Sequence, residues 1–161
     1  FSTRCLSIGK NKMAYNTAEL KKLRDETSVS VMACKKALDE AGGDYAQAKE
    51  NLRRASELVA IKKSERETHA GVIDAYIHNR KIGAMVELRS ETDFVANTGE
   101  FKDLAHAIAM QIAAARPANV EELLAQESIK EPGTTIADIV KIAIQKFGEK
   151  IEVARFERFS L

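Results

Sequence analysis

Apolar residues recur at helical spacing three times near the start of the chain. Leu20 and Leu23 mark one face of a helix predicted over 17–26, a second stripe stops at the paired glycine Gly42–Gly43, and a third follows it. Each stripe is too narrow to be buried by its own helix, so the helices must pack on one another. The pattern predicts a module of three short helices over 14–61.

The spacing of apolar residues changes to strict alternation after Gly71. The stretch from Ile82 to Leu88 alternates apolar residues with others, and a polar turn at 78–81 separates it from an earlier apolar run. This predicts a β-hairpin with one buried face. The charged segment 62–70 before the hairpin has no apolar stripe, and we predict that it links two domains.

Three further helices, one of them short, and a closing strand are predicted in the C-terminal part. A long apolar stripe ends before Pro117, and another is stopped by Gly148. The closing strand most simply joins the hairpin as a third antiparallel strand, with helices over one face of the sheet. The fold class predicted for 71–161 is therefore α+β. The alternation in this strand places on one face Ile151, Val153, Arg155 and Glu157.

Composition narrows the class of protein. The chain has 161 residues, of which 45% are hydrophobic and 30% charged, as is typical of a globular protein. Its 25 basic and 24 acidic side chains give a net charge of +1, too small to hold the chain on a nucleic acid or an anionic membrane. The longest nearly apolar stretch, 107–115, is shorter than the roughly 20 residues of a membrane-spanning helix. We expect no membrane partner.

Residues 1–13 differ from the rest of the chain. They contain basic residues, serine and threonine but no acidic residue, and they end at Met13. This composition suits the remnant of a transit peptide, and it suits equally a leader before a true start at Met13. The compartment therefore has two readings, the bacterial cytoplasm or, as the alternative, a mitochondrial or plastid matrix.

Residue types that often carry catalysis or metal binding are scattered. His69, His78 and His106 lack metal-ligand spacing, and no glycine-rich phosphate loop occurs. Cys5 and Cys34 form no C-x-x-C pair, and Cys34 lies on an apolar stripe, where a thiol acts as a small hydrophobe. The sequence predicts no enzyme, no metal and no cofactor.

Basic pairs in the helical module are the main feature that could indicate nucleic-acid binding. Acidic residues are interspersed among them, and aromatic residues that could stack on bases are few. We interpret the pairs as solvated helix faces and expect no direct contact with nucleic acid. The pairs are Lys21–Lys22, Lys35–Lys36, Arg53–Arg54 and Lys62–Lys63.

The tetrapeptide 92–95 lies where the second hairpin strand must turn into a helix. On local grounds Thr92 or Asp93 would cap this helix. Phe94 and Val95 would then form a hydrophobic staple on Phe101 or Leu104.

Two segments together resemble the signature regions of the elongation factor Ts family. They are LRDETSVSVMACKKAL over 23–38 and ELRSETDFVAN over 87–97, in the family's order and spacing. The resemblance implies a helical module over 14–61 similar to ubiquitin-associated domains, and a core over 71–161 that carries dimerisation. It also implies a guanine nucleotide exchange factor in translation elongation, which binds the GDP form of elongation factor Tu and is not an enzyme.

The resemblance also implies roles for particular residues. Asp93 and Phe94 would form an exposed tip that enters the partner's nucleotide-binding domain and disturbs its Mg2+ and phosphate surroundings, while Thr92 and Val95 would support the tip. The helical module would contact the same partner domain through Arg24, Val31 and Met32.

The chain departs from the family's common pattern in detail and in length. Glycine is frequent where this chain has Ser28 and Ser30, and asparagine is frequent where it has Arg89. The core is short and looks like the short form of the family, for which the resemblance implies a homodimer in which a second copy supplies the other half-core. Two alternative functions stay open: a non-catalytic module that binds another helical partner or RNA, and a small hydrolase that uses Asp93 with a histidine.

Overall fold

The structure, a computed structural model, describes residues 16–27 and 29–161. The leader or transit segment predicted over 1–13, and Ser28, lie outside the described residues. A helical part precedes a small antiparallel sheet with further helices, which confirms the predicted α+β class. The elements are α1 (Thr17–Thr27), α2 (Val31–Glu40), α3 (Tyr45–Lys63), β1 (Ala70–His78), β2 (Ile82–Ser90), α4 (Asp93–Ala96), α5 (Gly99–Ala115), α6 (Val120–Ala125), α7 (Ile136–Phe147) and β3 (Ile151–Ser160).

The chain divides into two compact units between Leu52 and Arg53, a point inside α3. The charged segment 62–70, predicted from the sequence to link two domains, lies after this division. Helix α3 continues without interruption past the division, and its last turns belong to the second unit because Val59 and Ala60 pack on that unit's apolar core. The charged sequence shows where α3 ends. It does not show where along α3 the helix stops packing on the core of the first unit and starts packing on the core of the second.

The first unit is held by a small apolar core and by caps at its helix ends. At the start of α1, the Asn16 side chain accepts from the Glu19 N–H at 2.8 Å and the Glu19 carboxylate accepts from the Asn16 N–H at 2.9 Å. After α2, Gly42 and Gly43 adopt positive φ angles of 61° and 90°, as expected of a glycine stop. The core consists of Leu23, Val29, Cys34, Ala37, Leu38, Ala48 and Leu52.

The second unit contains a three-stranded antiparallel sheet in the order β1-β2-β3. The return of β3 to the hairpin confirms the predicted topology. Ala84, Val86 and Leu88 of β2 are buried, as the alternation predicts. At the start of β1, a Cβ on Gly71 would lie 2.4 Å from the Leu88 carbonyl oxygen, so the close approach of the two strands requires glycine.

Strand β3 contains a β-bulge that the alternation in the sequence does not reveal. Leu88 pairs with Val153, but its neighbour Glu87 pairs with Arg155, which leaves Ala154 as the extra residue on β3. The bulge shifts the alternation by one residue from that point onward.

The shift corrects one prediction about β3. Phe156 pairs with Val86 and lies on the core face, partly buried. Arg155 and Glu157 are exposed on the opposite face and do not share the face of Ile151, which is buried. The predicted common face was therefore wrong for the second half of the strand.

Helices α5 and α7 contribute to the core that covers one face of the sheet. The Thr98 hydroxyl accepts from a backbone N–H in the first turn of α5 at 3.3 Å, and the Thr135 hydroxyl does the same for α7 at 3.1 Å. Gly148 ends α7 with a φ of 73° and begins the turn to β3. Buried residues of the two helices include Phe101, Ile108, Ile112, Val140 and Ile144.

The opposite face of the sheet is exposed and partly apolar. Ile77 pairs with Gly83, which pairs with Phe159, so the two large side chains flank a glycine across the three strands. We define the open sheet face by its exposed large apolar residues, which are Ile73, Ile77, Met85 and Phe159. Among the described helices, none has both the length and the apolar character that a membrane crossing requires.

Candidate functional site

The segment after β2 turns sharply into the four-residue helix α4. Ser90, the last residue of β2, is fully buried, and its hydroxyl donates to the Thr92 carbonyl oxygen at 3.0 Å. Helix α4 ends at Ala96, and Thr98 then caps α5. The chain thus forms a compact corner, 90–98, between the sheet and the long helix.

The two sides of α4 differ in exposure. Phe94 is 85% exposed, and Asp93 beside it is exposed as well. Val95 and Ala96 are only 4% and 2% exposed and lie in the same core as Phe101. The hydrophobic staple predicted on local grounds is therefore wrong for Phe94. We refer to Asp93 and Phe94 as the tip.

Two carboxylates join the corner to the turn between α7 and β3. Thr92 donates its backbone N–H and its hydroxyl to the Glu149 carboxylate, at 3.0 and 2.6 Å. In the opposite direction, the Lys150 N–H donates to the Glu91 carboxylate at 2.6 Å, and the Arg66 guanidinium lies 3.3 Å from it. Thr92 occupies the N-cap position of α4 but makes no side-chain capping bond, so the predicted capping role of its hydroxyl was wrong.

The acidic groups of the corner differ in their surroundings. The hydrogen bond from the Lys150 N–H, together with Arg66, lowers the pKa of Glu91 below its ordinary value. Glu91 is therefore ionised at neutral pH. The exposed Asp93 carboxylate has no ion pair with any residue that the structure describes, so its charge is available to a partner.

The other predicted contact residues lie on the first unit. Val31 and Met32 begin α2 and are 43% and 74% exposed, whereas Val29 just before them is buried. Arg24 is exposed on α1. We refer to Arg24, Val31 and Met32 as the module patch. The flexible Met32, the β-branched Val31 and the Arg24 cation are side chains of the kinds that contact a partner through apolar and polar groups.

The histidines of the second unit make contacts away from the tip. The His106 Nδ1 atom lies 3.0 Å from the Asp74 carboxylate, and the Tyr76 hydroxyl lies 3.1 Å from the His78 Nδ1 atom. Within 16–27 and 29–161, no cluster of histidine, cysteine and acidic residues could hold a metal ion. No described histidine is hydrogen-bonded to Asp93, so the hydrolase alternative has no positioned base.

Sequence reasoning missed that the Glu149 and Glu91 carboxylates join this corner to the turn before β3. The bond from Thr92 to Glu149 joins residues 57 positions apart, so no local spacing could indicate it. The one local signal is Gly148, which predicts a turn before β3 and leaves its contacts open.

Comparison with known proteins finds relatives that carry the name elongation factor Ts. The family model for Elongation factor TS matches residues 91–161, a match that begins at the corner. Elongation factor Ts of Thermodesulfovibrio yellowstonii is 37% identical over 193 residues, covering 92% of this chain and 97% of that protein. Elongation factor Ts of Aquifex aeolicus is 43% identical over 154 residues, covering 92% of this chain and 53% of that protein. The chloroplastic polyprotein of EF-Ts from Oryza sativa subsp. indica is 38% identical over 198 residues, covering 94% of this chain and 18% of the polyprotein.

These relatives differ in how much of their length the chain spans. It spans less than a fifth of the rice polyprotein and about half of the Aquifex protein, but nearly all of the Thermodesulfovibrio protein. The chain belongs to the elongation factor Ts family.

Proposed function

We propose that this chain is a guanine nucleotide exchange factor for elongation factor Tu in translation elongation. The observation that carries the proposal is the tip, an exposed aromatic ring beside an exposed carboxylate on a corner that is anchored in the core. Inserted beside a bound nucleotide, such a pair can displace side chains and shift the field around Mg2+ and phosphate. No covalent bond needs to form or break, so the proposed activity is not enzymatic.

The proposed cycle exchanges one binding free energy for another. The chain binds the GDP form of elongation factor Tu, weakens its hold on Mg2+ and GDP, and leaves when GTP enters. Linkage requires reciprocity: the factor by which the chain weakens GDP binding equals the factor by which GDP weakens binding of the chain.

The module patch is proposed as a second contact with the same partner. Met32 offers a long, adaptable side chain, and Val31 adds apolar area beside it. Neither group needs to reach the nucleotide, so the patch would supply affinity while the tip acts on release.

The working form is proposed to be a homodimer, with a second copy covering the open sheet face. A three-stranded sheet that buries one face and exposes Ile77, Met85 and Phe159 on the other has an apolar surface suited to a self-complementary contact. Sedimentation at micromolar concentration should show twice the 17.8 kDa chain mass. Met85→Glu should give the monomer, whereas the matched Ile129→Glu, at an exposed position off the sheet, should stay dimeric. A monomeric wild type with full exchange activity would contradict the dimer.

The proposed compartment is one in which bacterial-type translation takes place. The relatives reported above are bacterial and chloroplastic. The bacterial cytoplasm and an organelle matrix, in a plastid or a mitochondrion, both fit.

The decisive experiment measures release of labelled GDP from elongation factor Tu, with excess unlabelled nucleotide, at increasing concentrations of this chain. We expect saturable acceleration. The double variant Asp93→Ala/Phe94→Ala should lose it while keeping the circular dichroism of the wild type, because both side chains are exposed. An unchanged release rate at saturating wild-type chain would refute the proposed function.

A further inference from the structure

Two surface segments close on each other beside the tip. One is the pair Glu91–Thr92 at the end of β2, and the other is the pair Glu149–Lys150 in the turn before β3. Each segment supplies a carboxylate that accepts a backbone N–H from the other: Thr92 donates to Glu149, and Lys150 donates to Glu91. The Thr92 hydroxyl adds a third bond, to the second oxygen of Glu149.

This arrangement matters because α4 cannot hold its own direction. A helix of four residues gains too little from its internal hydrogen bonds to be stable alone. Val95 and Ala96 anchor its inner side in the core. Buried apolar contacts are not directional. They therefore hold α4 against the core but do not by themselves fix the orientation of its first residues.

The entry to α4 is fixed by Glu149. Thr92 immediately precedes the tip, and both its backbone N–H and its hydroxyl are bound to one carboxylate. A carboxylate is the side chain that can accept both bonds in parallel, and charge-assisted bonds are the stronger kind. A glutamine at this position would turn an NH2 group toward one of the two donors.

We propose that Glu149 is a positioning residue for nucleotide exchange: by binding Thr92 through both carboxylate oxygens, it sets the direction in which Asp93 and Phe94 project. The inference rests on the proposed function of the tip. Glu149 itself need not touch the partner for this role. Its loss should leave the apolar core in place and loosen only the corner.

The first test compares Glu149→Gln with Glu131→Gln, which removes the same charge from an exposed position in the loop between α6 and α7. In the GDP-release assay, Glu149→Gln should lower the maximal stimulated rate about ten-fold, the effect of losing one charge-assisted bond. The half-saturating concentration should change much less, because the other contacts persist. Glu131→Gln should match the wild type.

The second test measures how firmly the backbone around the tip is held when the partner is absent. Amide hydrogen exchange over 92–97 should speed up in Glu149→Gln, while exchange in α5 stays at the wild-type rate. Thr92→Val removes the hydroxyl bond alone, and combining it with Glu149→Gln should add little to the effect of Glu149→Gln by itself. Additive losses in the double variant would contradict the proposed pairing.

The outcomes separate this inference from the function on which it rests. If the tip variant Asp93→Ala/Phe94→Ala stimulates GDP release as well as the wild type does, the proposed function fails. This holds whatever the rate of amide hydrogen exchange in Glu149→Gln. If that tip variant is inactive but Glu149→Gln matches the wild type in both maximal rate and amide exchange, the positioning role fails alone.

Discussion

The tip and the module patch each expose a charged side chain and at least one large apolar side chain, but they are built in different ways. Met32 lies on the regular helix α2, whose start is capped by its neighbour Ser30 through a bond of 3.3 Å to the Ala33 N–H. Phe94 lies on α4. The residue that precedes this helix, Thr92, is hydrogen-bonded to Glu149, which lies 57 positions later in the chain. The start of α2 is therefore stabilised by a residue nearby in the sequence, whereas the start of α4 is stabilised by a residue distant in the sequence. A substitution far along the sequence can therefore disturb the structure of the tip, whereas Val31 and Met32 should respond mainly to changes in their own helix, α2.

The largest expected effect separates the tip from the core below it. Phe94→Ala should slow stimulated GDP release about 30-fold or more, as for an aromatic hot spot. Its free energy of unfolding should change by less than about 0.5 kcal/mol because the ring is exposed. Phe101→Ala, the matched control, should lose about 3–5 kcal/mol because Phe101 is fully buried. Denaturant unfolding and GDP release, measured on the same samples, check both. A large stability loss in Phe94→Ala would place this ring in the core.

A smaller effect is expected at the patch. Met32→Ala should raise the half-saturating concentration in the GDP-release assay about 3- to 10-fold and leave the maximal rate unchanged, because we propose that the patch contributes affinity alone. Lys36→Ala, on the exposed surface of the same helix, is the control and should behave as the wild type. A fall in maximal rate with unchanged half-saturation would show that the patch acts on release and would remove the contrast with the tip.

The smallest effect concerns pH. The folded state lowers the pKa of Glu91 through the Lys150 N–H and Arg66. Its stabilisation is therefore complete above the unfolded pKa of about 4.3 and is lost as the pH falls through the lower folded value. Glu91→Gln should be slightly less stable than the wild type at pH 7, and the difference should shrink as the pH falls below the unfolded pKa of about 4.3. Melting temperatures across this range measure it. A constant difference at all pH values would mean that ionised Glu91 does not hold the corner.

The sequence predicted those parts of the fold that depend on local pattern. Glycine stops, capping residues and apolar spacing placed the helices, and the alternation around Val86 placed the buried face of the hairpin. These features need only the chemistry of a few neighbouring residues. The exposure of Met32 at the start of α2 was instead indicated only by the family resemblance, because the local pattern also allowed it to pack within the helical module.

The parts that could not be predicted depend on distant segments. Local capping rules assigned Phe94 to a staple because they contain no information about Glu149. The resemblance to a family, and no physical rule applied to the sequence, indicated an exposed ring. The division of the chain inside α3 was missed for a related reason, since a continuous helix can change packing partners without any change in its composition.

The bulge at Ala154 makes the chain tolerant to a change of length at one place. Val153 is buried, Arg155 is exposed and Phe156 lies on the core face, so removal of Ala154 would leave an ordinary alternating strand with every neighbour on its present side. Removal of Phe156 or of a residue after it would instead turn the following side chains to the opposite face. Deletion of Ala154 should therefore leave the pairing of β2 with β3 and the faces of the sheet unaltered.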